Sequence, residues 1–456
     1  MLSSRAPKLP WLVMLAVFGA GLGLLFLKLL PLTEFHPIFL LAVPFFCIFI
    51  LGATLKPSWV MLAVLFSRAL LDPVLNLTKA ENSLGFGAVL NIFVILFTLF
   101  LLVGGIPLLI KTPFFKSWAF FLTVCLISTV FSPTQLSGIK MFFNLVSYLC
   151  MALLPFLIDP GRNDKKFWIK ALFFSSFLPV ALANIDLARG GVFYPDAGNR
   201  ILGTFMHPNI LGFYLVWAMA MTLTLLKSEL FPITPVRRFF LWLYLADLVS
   251  LLIATKTRNA WIGAWGFFFL YGLLKEKKIV LLSLVALGGA FVFSGISERM
   301  GNLFSANSGR LNSLAWRWEV WKGSVAWMME RWAFGYGLGS FYELSRGFLI
   351  TEKHGADAHN AYLQLCFETG LLGLLAYLSI FWNLLKVFYL RCKRSLQGLS
   401  AEYAVAFSYV FVYILSGFGD NLLYYLALNW YFWFFIGTHL KGMQFQRLVH
   451  LRESPA

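Results

Sequence analysis

The sequence predicts an all-α, polytopic transmembrane helical bundle, and three observations lead there. Hydrophobic residues form 60% of the chain and charged residues 12%, against about a quarter charged in a soluble domain. A water-soluble fold could not hide that much apolar surface. Apolar runs recur from Trp11 to Leu440, each near the roughly 20 residues that cross a hydrocarbon core. Aromatics form 18%, and many Trp and Tyr stand at the ends of runs, where amphipathic rings favour the headgroup layer.

Spans are expected near 10–31, 37–54, 58–71, 86–110, 117–132, 141–158, 167–187, 208–226, 237–254, 260–274, 278–296, 361–387, 402–417 and 421–440, about 12–14 because several are short. Arg5 and Lys8 before the first run imitate a signal peptide, but no small-residue cleavage site follows. This stretch reads as an uncleaved first span. Charge tests the scheme. With the N-terminus inside, the inner loops hold Lys56, Lys111, Lys116, the cluster Arg162, Lys165, Lys166 and Lys170, then Lys227, Arg237, Arg238, Lys275, Lys277, Lys278, Lys386, Arg391, Lys393 and Arg394. Every inner loop is basic, the positive-inside pattern of a membrane protein with both termini cytoplasmic. The net charge of +17 is therefore orientation signal, and no nucleic-acid partner is expected.

The outer face receives loops 72–85 and 188–207, a short turn around Arg258, a turn at Asp420, and one long loop, 297–358. The expected organisation is transmembrane helices over 1–296, an outer loop over 297–358 bearing catalytic residues and an amphipathic helix, transmembrane helices over 359–440, and a basic cytoplasmic tail over 441–456. Long loops on rigid scaffolds tend to be functional. Within this one, Leu314, Trp318, Trp321, Val325, Met328 and Trp332 recur at helical spacing, which predicts one apolar stripe lying on the membrane surface. The five cysteines, Cys47, Cys125, Cys150, Cys366 and Cys392, show no CxxC or metal spacing, so no disulfide framework is expected.

The candidate reactive residues gather at outer boundaries. His359 opens HNAYLQLCFETGLLGLL where the long loop re-enters the membrane; there it is either a general base reachable from outside or a helix cap. Arg258 in TKTRNAWIG and Arg317 beside the stripe are either ligand contacts or interface anchors. Arg200 and His207 stand where an outer loop meets GTFMHPNILGFYL, with capping the favoured role of His207. Arg68, four residues before Asp72, reads equally as an ion-pair partner or a ligand contact. Glu368 is an acid inside a span, either functional or satisfied by a neighbouring helix. Asp357 lies in HGADAH with His354 and His359, a spacing unlike a helix-borne HExxH pair, so no metal is expected. Asp420 has little sequence support as a site. Nucleotide motifs are lacking. A flippase or other transporter would concentrate polar residues at mid-membrane, and a purely structural membrane protein would need no outer Arg and His cluster. Mid-span polar residues such as Lys28, Asp247 and Glu368 are few.

In order, GTFMHPNILGFYL, TKTRNAWIG, an outer loop bearing Arg and Trp, GYGLGSF at 335–341 and HNAYLQLCFETGLLGLL resemble the O-antigen ligase and Wzy-type polymerase superfamily. The resemblance covers most of 200–375. It implies a metal- and cofactor-independent glycosyltransferase of the bacterial inner membrane, active on the periplasmic face. Its donor would be a polyprenyl-diphosphate-linked glycan, its acceptor lipid A core or another glycan, its surroundings membrane lipids. A Wzy-type polymerase using the same donor is the alternative within the class. Residue by residue, the resemblance matches the family's turn Arg to Arg258, its long-loop Arg to Arg317 with Arg310 as competitor, and its essential His to His359. Thr257 stands where the family often has Ser and keeps the hydroxyl. Arg meets diphosphate charge with a planar fork, and direct displacement would invert the anomeric centre.

Overall fold

The computed structural model of the chain describes residues 52, 54–73, 86–102, 112, 114–158, 164–194, 198–292, 313–349, 355–394 and 397–453. The spans expected at 10–31 and, for the most part, 37–54 lie outside the described residues, as do Cys47, His354, Arg310 and the loop portions 74–85 and 297–312. The fold is an all-α polytopic membrane bundle. Its helices are α1 (Pro57–Arg68), α2 (Phe86–Leu102), α3 (Phe115–Val130), α4 (Gln135–Leu157), α5 (Asp164–Ser175), α6 (Phe177–Ala188), α7 (Pro208–Lys227), α8 (Pro235–Ala254), α9 (Arg258–Lys275), α10 (Lys277–Val292), α11 (Ser313–Glu330), α12 (Phe341–Leu344), α13 (Ala361–Arg394), α14 (Gln397–Ser416) and α15 (Leu426–Glu453). Among the described residues, four stretches are long and apolar enough to cross a bilayer: Gln135–Leu157, Asp164–Ala188, Pro208–Lys227 and Ala361–Arg394.

Pro57, Pro208 and Pro235 each occupy a first helical turn, where the missing N–H is no loss and φ is preset. Two helices form the centre. Along α7 and the first half of α15 nearly every side chain is buried, as expected of a helix apolar on all sides. They meet through Trp217 and Tyr431, ring centroids 4.7 Å apart, while Trp118 of α3 packs edge-on against Trp433 at 4.8 Å. The peripheral helices turn Leu, Phe and Val outward instead, as on α10 with Leu281, Leu282 and Val285. In a bilayer such a face meets lipid.

The basic residues at one end of the bundle are paired: Lys165 with Glu402 at 2.5 Å, Lys227 with Glu276 at 2.6 Å, and Lys441 with Asp164. These positions come from the inner loops of the charge scheme. His207, Arg258 and His359 stand at or beside the starts of α7, α9 and α13, whereas Lys227 and Lys275 end α7 and α9. One small addition to the α architecture is an antiparallel hairpin, β1 (Val192–Tyr194) with β2 (Gly198–Arg200), which seats Arg200 opposite Val192.

α13 is broken. At Gly370 the backbone takes φ 68°, ψ −175°, a region open essentially to glycine alone. The long loop fills the break: the Trp332 and Ala333 carbonyls accept the N–H groups of Leu371 and Leu372, and the Tyr336 and Gly337 N–H groups donate to the Phe367 and Glu368 carbonyls. GYGLGSF is thus a loop built into a helix interruption. Backbone groups freed within this long apolar helix are satisfied here by protein.

The expected stripe of the loop helix needs correction. Trp318, Val325 and Trp332 are exposed, joined by Met329, but Trp321 and Met328 turn inward with Trp316, Val320 and Trp327 onto Phe341, Ala358 and Phe367. The reason is that the helix packs on the start of α13 through a second face rich in Trp, which spacing alone does not separate from the outward one.

Gly370→Ala should lower the thermal midpoint and folded yield, since a Cβ there would lie 2.2 Å from Ala333 backbone atoms and the backbone strain alone is worth about 1–3 kcal/mol. Gly288→Ala, inside a helix and with nothing within 4 Å of its Cβ, should lower neither in the same detergent unfolding assay.

Candidate functional site

The candidate residues converge on the turn from Ser416 to Tyr425, between α14 and α15, and above all on Asp420. This side chain is 1% exposed. Its Oδ2 accepts from Asn209 Nδ2 at 2.7 Å, and its Oδ1 accepts from the Tyr425 hydroxyl at 2.5 Å and from the Asn421 N–H at 2.9 Å. His359 Nδ1 stands 3.8 Å from Oδ1. That is beyond a direct hydrogen bond but within electrostatic reach. Arg317 reaches the same turn from the long loop, with NH1 donating to the Gly419 carbonyl at 2.9 Å.

The network continues through Asn209. Its Oδ1 accepts from Arg200 NH2 at 3.0 Å, while Arg200 also donates through Nε to the Thr255 carbonyl at 2.7 Å and through NH2 to the Thr257 hydroxyl at 3.0 Å. Arg200 is buried, and the Tyr194 ring lies 5.2 Å from its guanidinium carbon. Thr257 therefore spends its hydroxyl on Arg200 rather than on capping α9. Arg258, half-buried at the first position of α9, follows directly. Asn259, its other neighbour, donates to the Ser416 carbonyl at 2.8 Å. Both flanks of Arg258 are tied to one network.

His359 is not the cap of α13. Asn360 does that work, its Oδ1 accepting from the N–H groups of Tyr362 and Leu363 at 3.1 Å. His359 instead takes φ 48°, which is uncommon for any residue but glycine. The Trp316 ring lies edge-to-face at 5.7 Å, and a third of the imidazole is exposed, 33%. Among the described residues the other positive-φ position that is not glycine is Lys256, at 52°, two residues before Arg258. Such conformations persist only where the surroundings over-determine them, and both are at this site. His207 behaves oppositely: its Nδ1 accepts from the Asn209 N–H at 3.1 Å as the N-cap of α7, the role expected of it.

Three candidates stand apart or change role. Arg68 pairs with Asp72 at 2.9 Å, both nearly buried, and lies over the Trp430 ring. Of its two readings the ion pair is observed. Glu368, fully buried, accepts from the Gly339 and Phe341 N–H groups, from Gln364 Nε2 and from the Tyr424 hydroxyl. It clamps GYGLGSF onto α13. Asp357 is exposed, near enough to act electrostatically on Tyr424 and Tyr425. Among the described residues no three His, Cys, Asp or Glu side chains gather as a metal-ligand set. Sequence reasoning gave Asp420 little weight as a site and assigned no site role to Asn209, Tyr425 or Gln364. The one signal for Asp420 was an acid between Gly419 and Asn421 in a chain with only 20 acids.

Charge at the turn is balanced against burial. Burial alone would raise the Asp420 carboxyl, but His359, the Tyr425 hydroxyl and the Arg317 guanidinium outweigh it and hold it below its ordinary value. For Arg317, burial lowers the guanidinium from its ordinary value, with Asp420 opposing.

The fold and this junction define a multi-span membrane protein whose Arg and His side chains meet at one end of the bundle. Residues 241–378 match the family model described as O-antigen ligase, which supports an O-antigen ligase and Wzy-type assignment for that segment. A ligase- or polymerase-type function, with a lipid-linked glycan and an acceptor as partners in general, goes with that assignment. No curated protein matches the chain. The matched segment contains Arg258, Arg317 and His359, whereas Arg200, Asn209 and Asp420 lie outside it.

Asp420→Asn should reduce stability by about 1–3 kcal/mol through its weakened buried partners. Because the folded carboxyl is held low, its ionic contribution is complete above the unfolded value of about 3.9 and is lost only as pH falls through the folded value. The thermal-shift gap between wild type and variant should not narrow between about pH 7 and pH 4.

Proposed function

We propose that the protein transfers a glycan from a polyprenyl-diphosphate carrier to an acceptor sugar hydroxyl, at the non-cytoplasmic face of the bacterial inner membrane. The observation that carries this reading is the convergence of His359, Arg317 and Asn259 on the Asp420 turn, with Thr257 joined to it through Arg200 and Asn209. The acceptor oxygen bonds the anomeric carbon as the bond from that carbon to the diphosphate oxygen breaks. The diphosphate leaves on its lipid carrier, and the acceptor proton passes to His359.

Each residue has a stated task. His359 has Nδ1 on the Asp420 side, which leaves Nε2 to take the proton; a carboxylate near one ring nitrogen steadies, electrostatically, the imidazolium that forms. Arg317 commits one N–H to Gly419, and a guanidinium has five donors in a fixed fork, so the rest can pair diphosphate oxygens. Arg258 supplies the second fork from the head of α9. Arg200 supports that head through Thr255 and Thr257. Charge developing on the leaving diphosphate is met by these fixed cations. In-line attack from the His359 side would invert the anomeric centre. Whether the acceptor is a lipid A core sugar, as in a ligase, or another carrier-linked glycan, as in a polymerase, is read by which product forms.

Reconstitution with a polyprenyl-diphosphate oligosaccharide and both kinds of acceptor, followed by product mass, tests the reading. His359→Ala should lower turnover about 10²–10⁴-fold with donor affinity nearly unchanged; wild-type turnover would remove it from catalysis. Arg258→Lys and Arg317→Lys keep charge yet should lose most activity, because a point charge does not reproduce bidentate pairing. For orientation, a cysteine replacing the exposed Arg346 should label from the non-cytoplasmic side and one replacing Arg391 from the cytoplasm. The opposite result would put the site on the wrong face for this reaction.

A further inference from the structure

One buried side chain touches the residue before His359 and the residue after Asp420. Gln364, near the start of α13, accepts at Oε1 from Asn421 Nδ2 at 2.7 Å and from the Ala358 N–H at 3.3 Å, and donates through Nε2 to Glu368 Oε1 at 3.2 Å. We propose that Gln364 is a positioning residue that sets the separation of His359 and Asp420. The proposal rests on the reading of His359 as the base.

Only an amide suits these three partners. Two N–H donors require an acceptor and a carboxylate requires a donor. Glu at this position would face Glu368 with no proton to give, and Met would leave the Ala358 N–H and the Asn421 amide without their acceptor. The need is local. His359 holds φ 48°, and the residue before it is held through both of its backbone polar groups, by Gln364 on the Ala358 N–H and by Trp321 Nε1 on the Ala358 carbonyl at 2.7 Å. Releasing one grip lets the left-handed residue relax and the imidazole swing from the carboxylate. The helix and the turn stay joined regardless, through the Ala361 N–H on the Gly417 carbonyl at 2.8 Å and the Tyr362 hydroxyl on the Ile414 carbonyl at 2.5 Å. Losing Gln364 should therefore disturb the pair and spare the fold. Glu368 belongs to the same chain of bonds, so the clamp on GYGLGSF and the His359–Asp420 pair share one amide.

The test uses the full chain in lipid nanodiscs, with Gln364→Met, Asp420→Asn and the double variant. The first readout needs no substrate: the rate at which diethyl pyrocarbonate modifies His359, read by peptide mass. Gln364→Met and Asp420→Asn should change that rate in the same direction, with the double variant no further displaced than Asp420→Asn. An unchanged rate in Gln364→Met overturns the proposal. The second readout is turnover. Gln364→Met should lower kcat about 10–10²-fold, the scale of a misplaced reacting group, with donor KM little altered. The double variant should fall within about twofold of Asp420→Asn, whereas independent sites would multiply their losses, and multiplied losses overturn the proposal. If the wild-type chain transfers no glycan, the functional reading fails while the modification rates still decide the positioning. If Gln364→Met does not accumulate, Asn421→Ala breaks the same bridge from its far end with the same expected and overturning outcomes.

Discussion

Asp420 is a buried carboxylate at the head of a membrane bundle, and an unpaired charge in that place would be strongly destabilising. The fold answers with partners from separate elements. Asn209 comes from the start of α7, Tyr425 from just before α15, His359 from just before α13 and Arg317 from the long loop. Because each partner sits at a helix end or on a loop helix, satisfying one carboxylate also sets the heights of those elements against one another. The carbonyls of the same turn extend the effect: Ser416 receives Asn259, Gly417 receives the Ala361 N–H, and Gly419 receives Arg317. A short turn thereby does the registering that a soluble protein assigns to a core.

Glu368 applies the same logic one level deeper. A helix interrupted inside a membrane exposes backbone groups that lipid cannot satisfy, and here the interruption at Gly370 is filled by the loop segment running from Trp332 to Phe341. Backbone bonds join the two, and the Glu368 carboxylate closes the far side by accepting from Gly339 and Phe341. The α3–α4 junction takes part too, with the Ser132 and Thr134 hydroxyls donating to the Leu338 and Gly339 carbonyls. The long loop is therefore held at its glycine-rich end as firmly as a helix, while the Trp318 face of α11 remains outward. That division leaves an apolar surface for lipid beside a rigid polar site.

Much of this was legible in the chain because the signals were local. Apolar run length located the helices, since crossing a bilayer sets a minimum that few alternatives meet. Charge alternation sorted residues that the structure also places at different helix ends, and position in the sequence put His359 and Arg258 at the helix boundaries where they are found. His207 was readable as a cap because capping depends on neighbours in sequence. The misses are all non-local. Asp420 has no distinguishing neighbours, and its importance exists only once Asn209, some two hundred positions earlier, is beside it. Glu368 left two readings open in the sequence because its four donors come from two other segments and its own helix turn. The stripe on α11 failed for a related reason: helical spacing reports that an apolar face exists, but a helix with Trp on most sides has two such faces, and only the docking partner selects between them.

The site combines strain with over-determination in a way that bears on how an arginine and histidine cluster can work without collapsing. Several cations gathered near one turn repel one another, and left alone they would spread or bind the nearest acid outright. Here Asp420 is a buried acid at the turn, yet its oxygens are already occupied by Asn209, Tyr425 and the Asn421 N–H. Arg317 is directed to a carbonyl and His359 is held just outside hydrogen-bond distance, so the carboxylate neutralises the neighbourhood without capturing either side chain. The positive φ at Lys256 and His359 shows backbone bent against its preference to keep those placements. Donors held apart from their natural counter-ion, in a setting that burial makes poor in water, are donors available to an incoming anion. The neutral partners around Asp420 are thus as necessary to the site as the charged residues they keep separate.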